Sequence, residues 1–212
     1  MKQIRGPGTS AHSENSIRFG FLLAGGKSSR MGADKAFIQI GGCTLLDRGV
    51  QVLAVVCSGV AVVGDVAKFA NHNVAVIEDI YRDCGPLAGI HAALSQSPAE
   101  FNLVLAVDMP LVSPELLEFL FEQAENSDAI VTVVRIDRGF QPLCAVYRRA
   151  FAAVAEDALK AGKHKIDALF STVPVRIVEE NELLKAGFSA RLFANLNTPE
   201  DLCSWEPNDF PG

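Results

Sequence analysis

The sequence predicts an α/β fold with three layers, helices on both faces of a mostly parallel sheet with one reversed strand. Three observations predict it. Short apolar runs alternate with segments of helical period along the chain. The run at 103–107 is apolar at every position, as a strand buried on both faces must be. The connection between apolar runs at 130–134 and 143–147 is too short for a helical crossover, so that pair runs antiparallel.

The elements follow in order. Residues 19–23 form an apolar strand that empties into a glycine-rich loop. Leu45, Leu46, Gly49, Val52, Leu53 and Val56 then share one helical face, with Thr44 as N-cap. Strands are expected at 60–63 and 74–77. Leu87, Ile90 and Leu94 form the stripe of a helix that starts after Gly85-Pro86, where proline suits the first position. After the buried strand, Ser113-Pro114-Glu115 opens another helix with a cap, a compatible proline and an acid near the positive dipole end. Further strands are expected at 130–134, 143–147, 175–178 and 192–195, and helices near 149–160, 163–170 and 199–204.

A chain of 212 residues with 49% hydrophobic content can bury one substantial core, here assigned to a single domain over 18–212. Residues 1–17 are polar and rich in Gly, Ser and Pro without a signal peptide's apolar core, and read as a disordered leader or expression remnant. No apolar run has the length of a membrane span, so no membrane partner is expected. Cys43, Cys57, Cys84, Cys144 and Cys203 are odd in number and scattered, which predicts free thiols in a reducing cytoplasm. His12, His72, His91 and His164 show no spacing for a transition metal.

The net charge of −6 argues against nucleic acid as a partner. It sharpens the meaning of the loop. Leu22-Leu23-Ala24-Gly25-Gly26-Lys27-Ser28-Ser29-Arg30-Met31-Gly32-Ala33-Asp34-Lys35 carries three glycines and three cations against one acid. Glycines let backbone N–H groups approach an anion, and Lys and Arg supply the countercharge of a polyphosphate. A P-loop would need a glycine where Phe21 stands, and no G-x-G-x-x-G occurs, so both of those phosphate cradles are excluded.

Asp108 ends the buried strand in Val107-Asp108-Met109-Pro110, at the edge where open α/β sheets bind ligands. Magnesium takes one or two protein carboxylates and completes its octahedron with phosphate and water, which makes Asp108 the candidate ligand. The blander reading is a turn aspartate. Lys35 could neutralise charge building on an α-phosphate and a departing pyrophosphate, and Arg30 could fork onto the β- and γ-phosphates. Glu78-Asp79 places acids at another strand end; a solvated loop pair is the alternative.

Leu-Ala-Gly-Gly-Lys-Ser-x-Arg-Met-Gly-x-Asp-Lys, at residues 22–35, resembles the signature of the molybdenum cofactor guanylyltransferases, the MobA family. The likeness runs from about residue 19 to 205, through Gly85-Pro86-Leu87-Ala88-Gly89, Gln141-Pro142-Leu143 and Asn195-Leu196-Asn197-Thr198-Pro199-Glu200-Asp201-Leu202. It implies a Rossmann-like nucleotidyltransferase fold and transfer of GMP from GTP to the terminal phosphate of molybdopterin cofactor, with Mg2+ and release of pyrophosphate. It implies catalytic roles for Lys35, Arg30 and Asp108, with the metal on Asp108. Leu23, Ala24, Gly25, Gly26, Lys35, Asp79 and Asp108 would hold the nucleotide, with Asp79 on the guanine, and Asn197 and Gln141 would face the acceptor. Transient contacts with cofactor-delivering proteins or molybdoenzymes are further implied.

One departure stands at Gly64-Asp65, where the family often has an asparagine that joins nucleotide binding. Asp65 or a backbone group could replace it. Two rival readings share the motif: a cytidylyltransferase or other nucleotidyltransferase acting on a phosphorylated small molecule, and a non-catalytic nucleotide or cofactor carrier.

Overall fold

The computed structural model describes residues 17–25, 34–197 and 201 of the chain. In order, the elements are β1 (Arg18–Leu23), β2 (Gln39–Ile40), β3 (Cys43–Thr44), α1 (Leu45–Val56), β4 (Gly59–Val63), α2 (Val66–Phe69) and β5 (Ala75–Ile77). There follow α3 (Pro86–Gln96), β6 (Phe101–Ala106), α4 (Pro114–Glu125), β7 (Val131–Ile136), β8 (Gly139–Arg148), α5 (Phe151–Lys160), β9 (Val175–Glu179) and α6 (Glu180–Lys185).

Seven strands form one sheet in the order β5-β4-β1-β6-β8-β7-β9. All pairs are parallel except those made by β8, which runs antiparallel to both β6 and β7. The reversed strand expected from the short 135–142 connection is therefore present. Every residue of β6 is buried, Asn102 included, as a strand covered on both faces requires. From β1 the chain steps outward through β4 to β5, then returns to β6 on the other side of β1. That reversal leaves a crevice beyond the carboxyl ends of β1 and β6.

Side chains alternate across the sheet and build two cores. Leu22, Val62, Leu103, Leu105 and Val146 meet Leu46, Leu53, Leu117 and Phe121 of α1 and α4 on one face. Val104, Val133, Ala145 and Tyr147 meet Leu87, Ile90, Leu94 and Phe151 of α3 and α5 on the other. Close approach of α1 to β1 depends on Gly49, because a Cβ there would meet Leu22 Cδ1 at 2.5 Å. Gly49→Ala is expected to overpack this contact and destabilise the fold by roughly 1–3 kcal/mol, read as a lower melting temperature.

The caps behave as read: Thr44 Oγ1 accepts from Asp47 N at 3.0 Å, and Ser113 Oγ accepts from Leu116 N at 3.4 Å. Two expected elements do not form. Residues 192–195 are not a strand; a 3-10 turn, Ala190–Phe193, capped by Ser189, buries Phe193 instead. So short an apolar run does not by itself distinguish strand from turn. Of the helix expected at 163–170, only a 3-10 turn, Asp167–Ser171, is present. Gly162 at φ 69 ends α5, with Lys163 N donating back to Ala158 O, and the chain leaves that axis before Leu169 and Phe170 tuck under the sheet. The helix expected at 199–204 lies outside the described residues except for Asp201, which is helical.

Four elements went unread, the two strands of a hairpin and two short helices. The β2–β3 hairpin turns on Gly41 and Gly42, both at positive φ, as a tight two-residue loop demands. The short helices α2 and α6 have too few turns to leave a periodic stripe.

Candidate active site

Leu23, Ala24 and Gly25 form the exit of β1. Leu23 O accepts from Val107 N and Ala24 N donates to Val63 O, each at 3.0 Å, so the exit is stitched to β6 on one side and β4 on the other. Ala24 is buried and Gly25 exposed at the crevice mouth. Gly26, Lys27 and Arg30 lie outside the described residues.

The chain re-enters at Asp34, whose carboxylate accepts from Ala36 N and caps a 3-10 turn at Lys35–Phe37. This turn aims Lys35 at the end of β6. Its Nζ donates to Asp108 Oδ2 at 3.0 Å and to Asn197 Oδ1 at 2.9 Å. Three residues from three distant segments thus meet at one ammonium. The Lys35 and Asp108 side chains keep 18% and 24% exposure, enough for a ligand to reach both. Asn197 arrives because Leu196 is buried against Ile40 and Leu45 and its N–H donates to Asp108 O at 2.7 Å. Asn197 N in turn donates to Asp201.

Asp79 follows β5 on the opposite flank. A Cβ on Gly89 of α3 would lie 3.4 Å from Leu23 Cδ2 and 3.5 Å from Asp79 Oδ1, so β1, α3 and Asp79 converge there. Asp79 Oδ1 is buried and, among the described residues, accepts no hydrogen bond. Burial raises its carboxyl above the usual aspartate value. An unpaired buried acceptor of this kind favours a ligand that brings N–H donors. Gly85, at φ 71, turns the chain into α3 and frees the first amides of that helix toward the same edge.

Two residues do not join the cluster. Gln141 sits at the start of β8, three positions before Cys144, the partner of Leu105, and no hydrogen bond ties it to Lys35, Asp108 or Asn197. Tyr147 fixes its neighbour by donating to Pro142 O at 2.7 Å. Asp65 does not reach toward the crevice as a stand-in for asparagine; its carboxylate caps α2, accepting from Ala67 N and Lys68 N. Lys68 was not singled out from the sequence, though its ammonium donates to Ala24 O at 3.4 Å and pairs with Asp34 beside the crevice. The only trace of it was a cation three places after a capping aspartate.

Among the described residues no group of three or more His, Cys, Asp or Glu side chains could hold a metal on its own. One oxygen of Asp108 is held by Lys35, and no described residue donates to the other. That donor set fits a magnesium ion shared with substrate phosphates and does not fit a closed protein cage.

The sequence pattern of the MobA-like NTP transferase domain matches residues 20–177. A probable molybdenum cofactor guanylyltransferase of Pelotomaculum thermopropionicum is 38% identical over 86% of this chain and 89% of its own length. A molybdenum cofactor guanylyltransferase of Syntrophotalea carbinolica is 33% identical over 89% of this chain and 91% of its own. Among solved structures, molybdopterin-guanine dinucleotide biosynthesis protein A of Archaeoglobus fulgidus superposes with a TM-score of 0.78 at 28% identity, covering 88% of this chain and 95% of that one.

Proposed function

We propose, since the chain belongs to the MobA-like NTP transferase family, that it transfers GMP from GTP to the terminal phosphate of molybdopterin and releases pyrophosphate. An acceptor phosphate oxygen attacks the α-phosphorus, and the bond from that phosphorus to the β-phosphate's bridging oxygen breaks. The acceptor is already an anion, so the reaction needs no strong base. It needs alignment and neutralisation of charge.

The convergence of Lys35, Asp108 and Asn197 carries this reading. Lys35 turns from Asp108 toward the α-phosphate and the leaving pyrophosphate. Asn197 holds Lys35 in reach and marks the acceptor's side of the crevice, with Gln141 further along that edge. The β1 exit at Leu23, Ala24 and Gly25 seats the nucleotide, and the roles of Gly26 and Arg30 toward its phosphates rest on the sequence motif alone. Asp108 would hold magnesium, which supplies countercharge to the phosphates when bound. The described cysteines are all free, and burial pushes the thiols of Cys57 and Cys144 up to about 12, which leaves them unreactive and outside the chemistry. Among the described residues no helix is long and apolar enough to cross a membrane.

Asp79 selects guanine by accepting from its N1–H and exocyclic N–H groups. Titrating GTP and CTP by calorimetry tests this together with the overall reading. Wild type is expected to prefer GTP, and Asp79→Asn to weaken GTP by about tenfold or more while leaving CTP unchanged, the scale of a hydrogen bond to a charged group. Equal or tighter CTP binding by wild type would make the chain a cytidylyltransferase; no binding of either would remove the nucleotide reading.

The same variant carries a stability signature. Folded Asp79 retains its proton at pH values where the unfolded chain has lost it. Stability therefore falls as pH rises from the ordinary aspartate range through the raised value, and stays lower above it. Asp79→Asn is expected to melt above wild type at pH 7, with the gap closing below the ordinary aspartate value.

A further inference from the structure

We propose that Lys68 is a positioning residue that clamps the two sides of the nucleotide seat together before the nucleotide arrives. The inference rests on the nucleotidyltransferase reading above, and it concerns a residue with no place in the signature.

Lys68 belongs to α2, on the flank of the crevice opposite Asp108. Asp65 fixes that helix by accepting from Ala67 N at 2.8 Å and Lys68 N at 3.3 Å. The Lys68 ammonium then reaches two places far apart in sequence. It donates to Ala24 O at 3.4 Å, at the exit of β1. It also forms an ion pair with the Asp34 carboxylate, at the entrance to the Lys35 turn. Among the described residues no other side chain bonds both of these points.

The setting favours a held cation. Nζ lies 4.6 Å from the Phe69 ring centroid and 5.7 Å from that of Phe37. Phe37 stacks on His72 at 5.5 Å, so the aromatic floor is itself fixed. A cation over aromatic faces with a carboxylate and a carbonyl above it has few alternative positions. Asp34 is doubly engaged, because its other oxygen caps the turn through Ala36 N at 3.1 Å. The contacts run from Asp65 to Lys68 to Asp34, while Lys35 beyond the turn keeps its own hold on Asp108 and Asn197.

The consequence is preorganisation. Fixing two separated points of the chain relative to each other costs entropy, and a seat whose sides are already tied together spares the ligand that cost on binding. Such a saving applies equally to bound substrate and transition state. It therefore shows in KM, and kcat is left alone. A lysine that touched the reacting phosphate would do the opposite.

The variants are Lys68→Met, which keeps an apolar stem over Phe69, Lys68→Gln as a second neutral replacement, and Lys68→Arg as the conservative one. Pyrophosphate release with GTP, magnesium and molybdopterin is expected to show KM for GTP raised on the order of tenfold in Lys68→Met and Lys68→Gln. The expected kcat stays within about twofold of wild type, and Lys68→Arg is expected to recover most of the loss. In the free protein, hydrogen exchange of the Ala36, Phe37 and Ile38 amides is expected to speed up in the neutral variants. An unchanged KM with unchanged exchange overturns the clamp, and so does a loss confined to kcat. If wild type neither binds GTP nor releases pyrophosphate, the enzymatic reading fails while the exchange measurement still decides the clamp.

Discussion

Lys35→Ala is expected to lower turnover by roughly 10²-fold or more, the scale of losing one preorganised donor to developing charge. Lys35 is held by a capped turn on one side and by Asp108 and Asn197 on the other, so its ammonium is in place before substrate binds. The fold should hardly notice its removal. The ion pair with Asp108 is partly exposed, and pairs of that kind contribute at most about 1 kcal/mol. The loss should fall on kcat more than on KM, since charge grows on the α-phosphate and pyrophosphate in the transition state. Lys35→Arg should not restore it, because a planar fork cannot occupy the site of a point charge with the same partners. Steady-state pyrophosphate release, beside a melting curve, separates chemistry from stability. Near-wild-type turnover in Lys35→Ala would take this residue out of the mechanism.

Much of this was legible in the chain because the informative signals were local. The unbroken apolar run before Asp108 gave a central strand, and the short connection after Arg135 gave the reversed one. Glycines and cations between β1 and Lys35 pointed to an anion site, and of that stretch only Ala24, Gly25 and Asp34 are described. Asp79 was legible as an acid at a strand end, but its buried, unpaired oxygen depends on how α3 packs against β1, which no local pattern encodes. Lys68 was invisible for the same reason. Its partners are Ala24 and Asp34, and only the parallel pairing of β4 with β1 brings α2 beside them. Near the carboxyl terminus, residues 192–195 looked like strand because Leu192, Phe193 and Ala194 are apolar. What decides their path is a Ser189 cap and the bond from Leu196 N to Asp108 O, both tertiary or turn-level facts.

That last bond matters for the second large effect. Asp108→Asn is expected to cut turnover by about 10²–10³-fold, comparable to losing a principal electrostatic element. It should also abolish the magnesium dependence of GTP binding. Asparagine preserves the side chain's shape, and its carbonyl oxygen can still accept from Lys35. The backbone carbonyl that receives Leu196 N is untouched, so the carboxyl-terminal segment stays docked. What disappears is the negative charge. In the free protein that charge pairs with Lys35, and under the proposed mechanism it would also hold a magnesium ion that supplies countercharge to the phosphates. If both act on one phosphate cluster, the losses in Lys35→Ala and Asp108→Asn will be far from additive, and the double variant will be scarcely worse than the poorer single one. Additive losses would mean that the two act at separate steps. Retained turnover with unchanged magnesium response in Asp108→Asn would reduce Asp108 to a turn aspartate that happens to pair with a lysine. Titrating magnesium into GTP-bound wild type and variant decides between these, because a turn aspartate has no reason to alter the metal's apparent affinity.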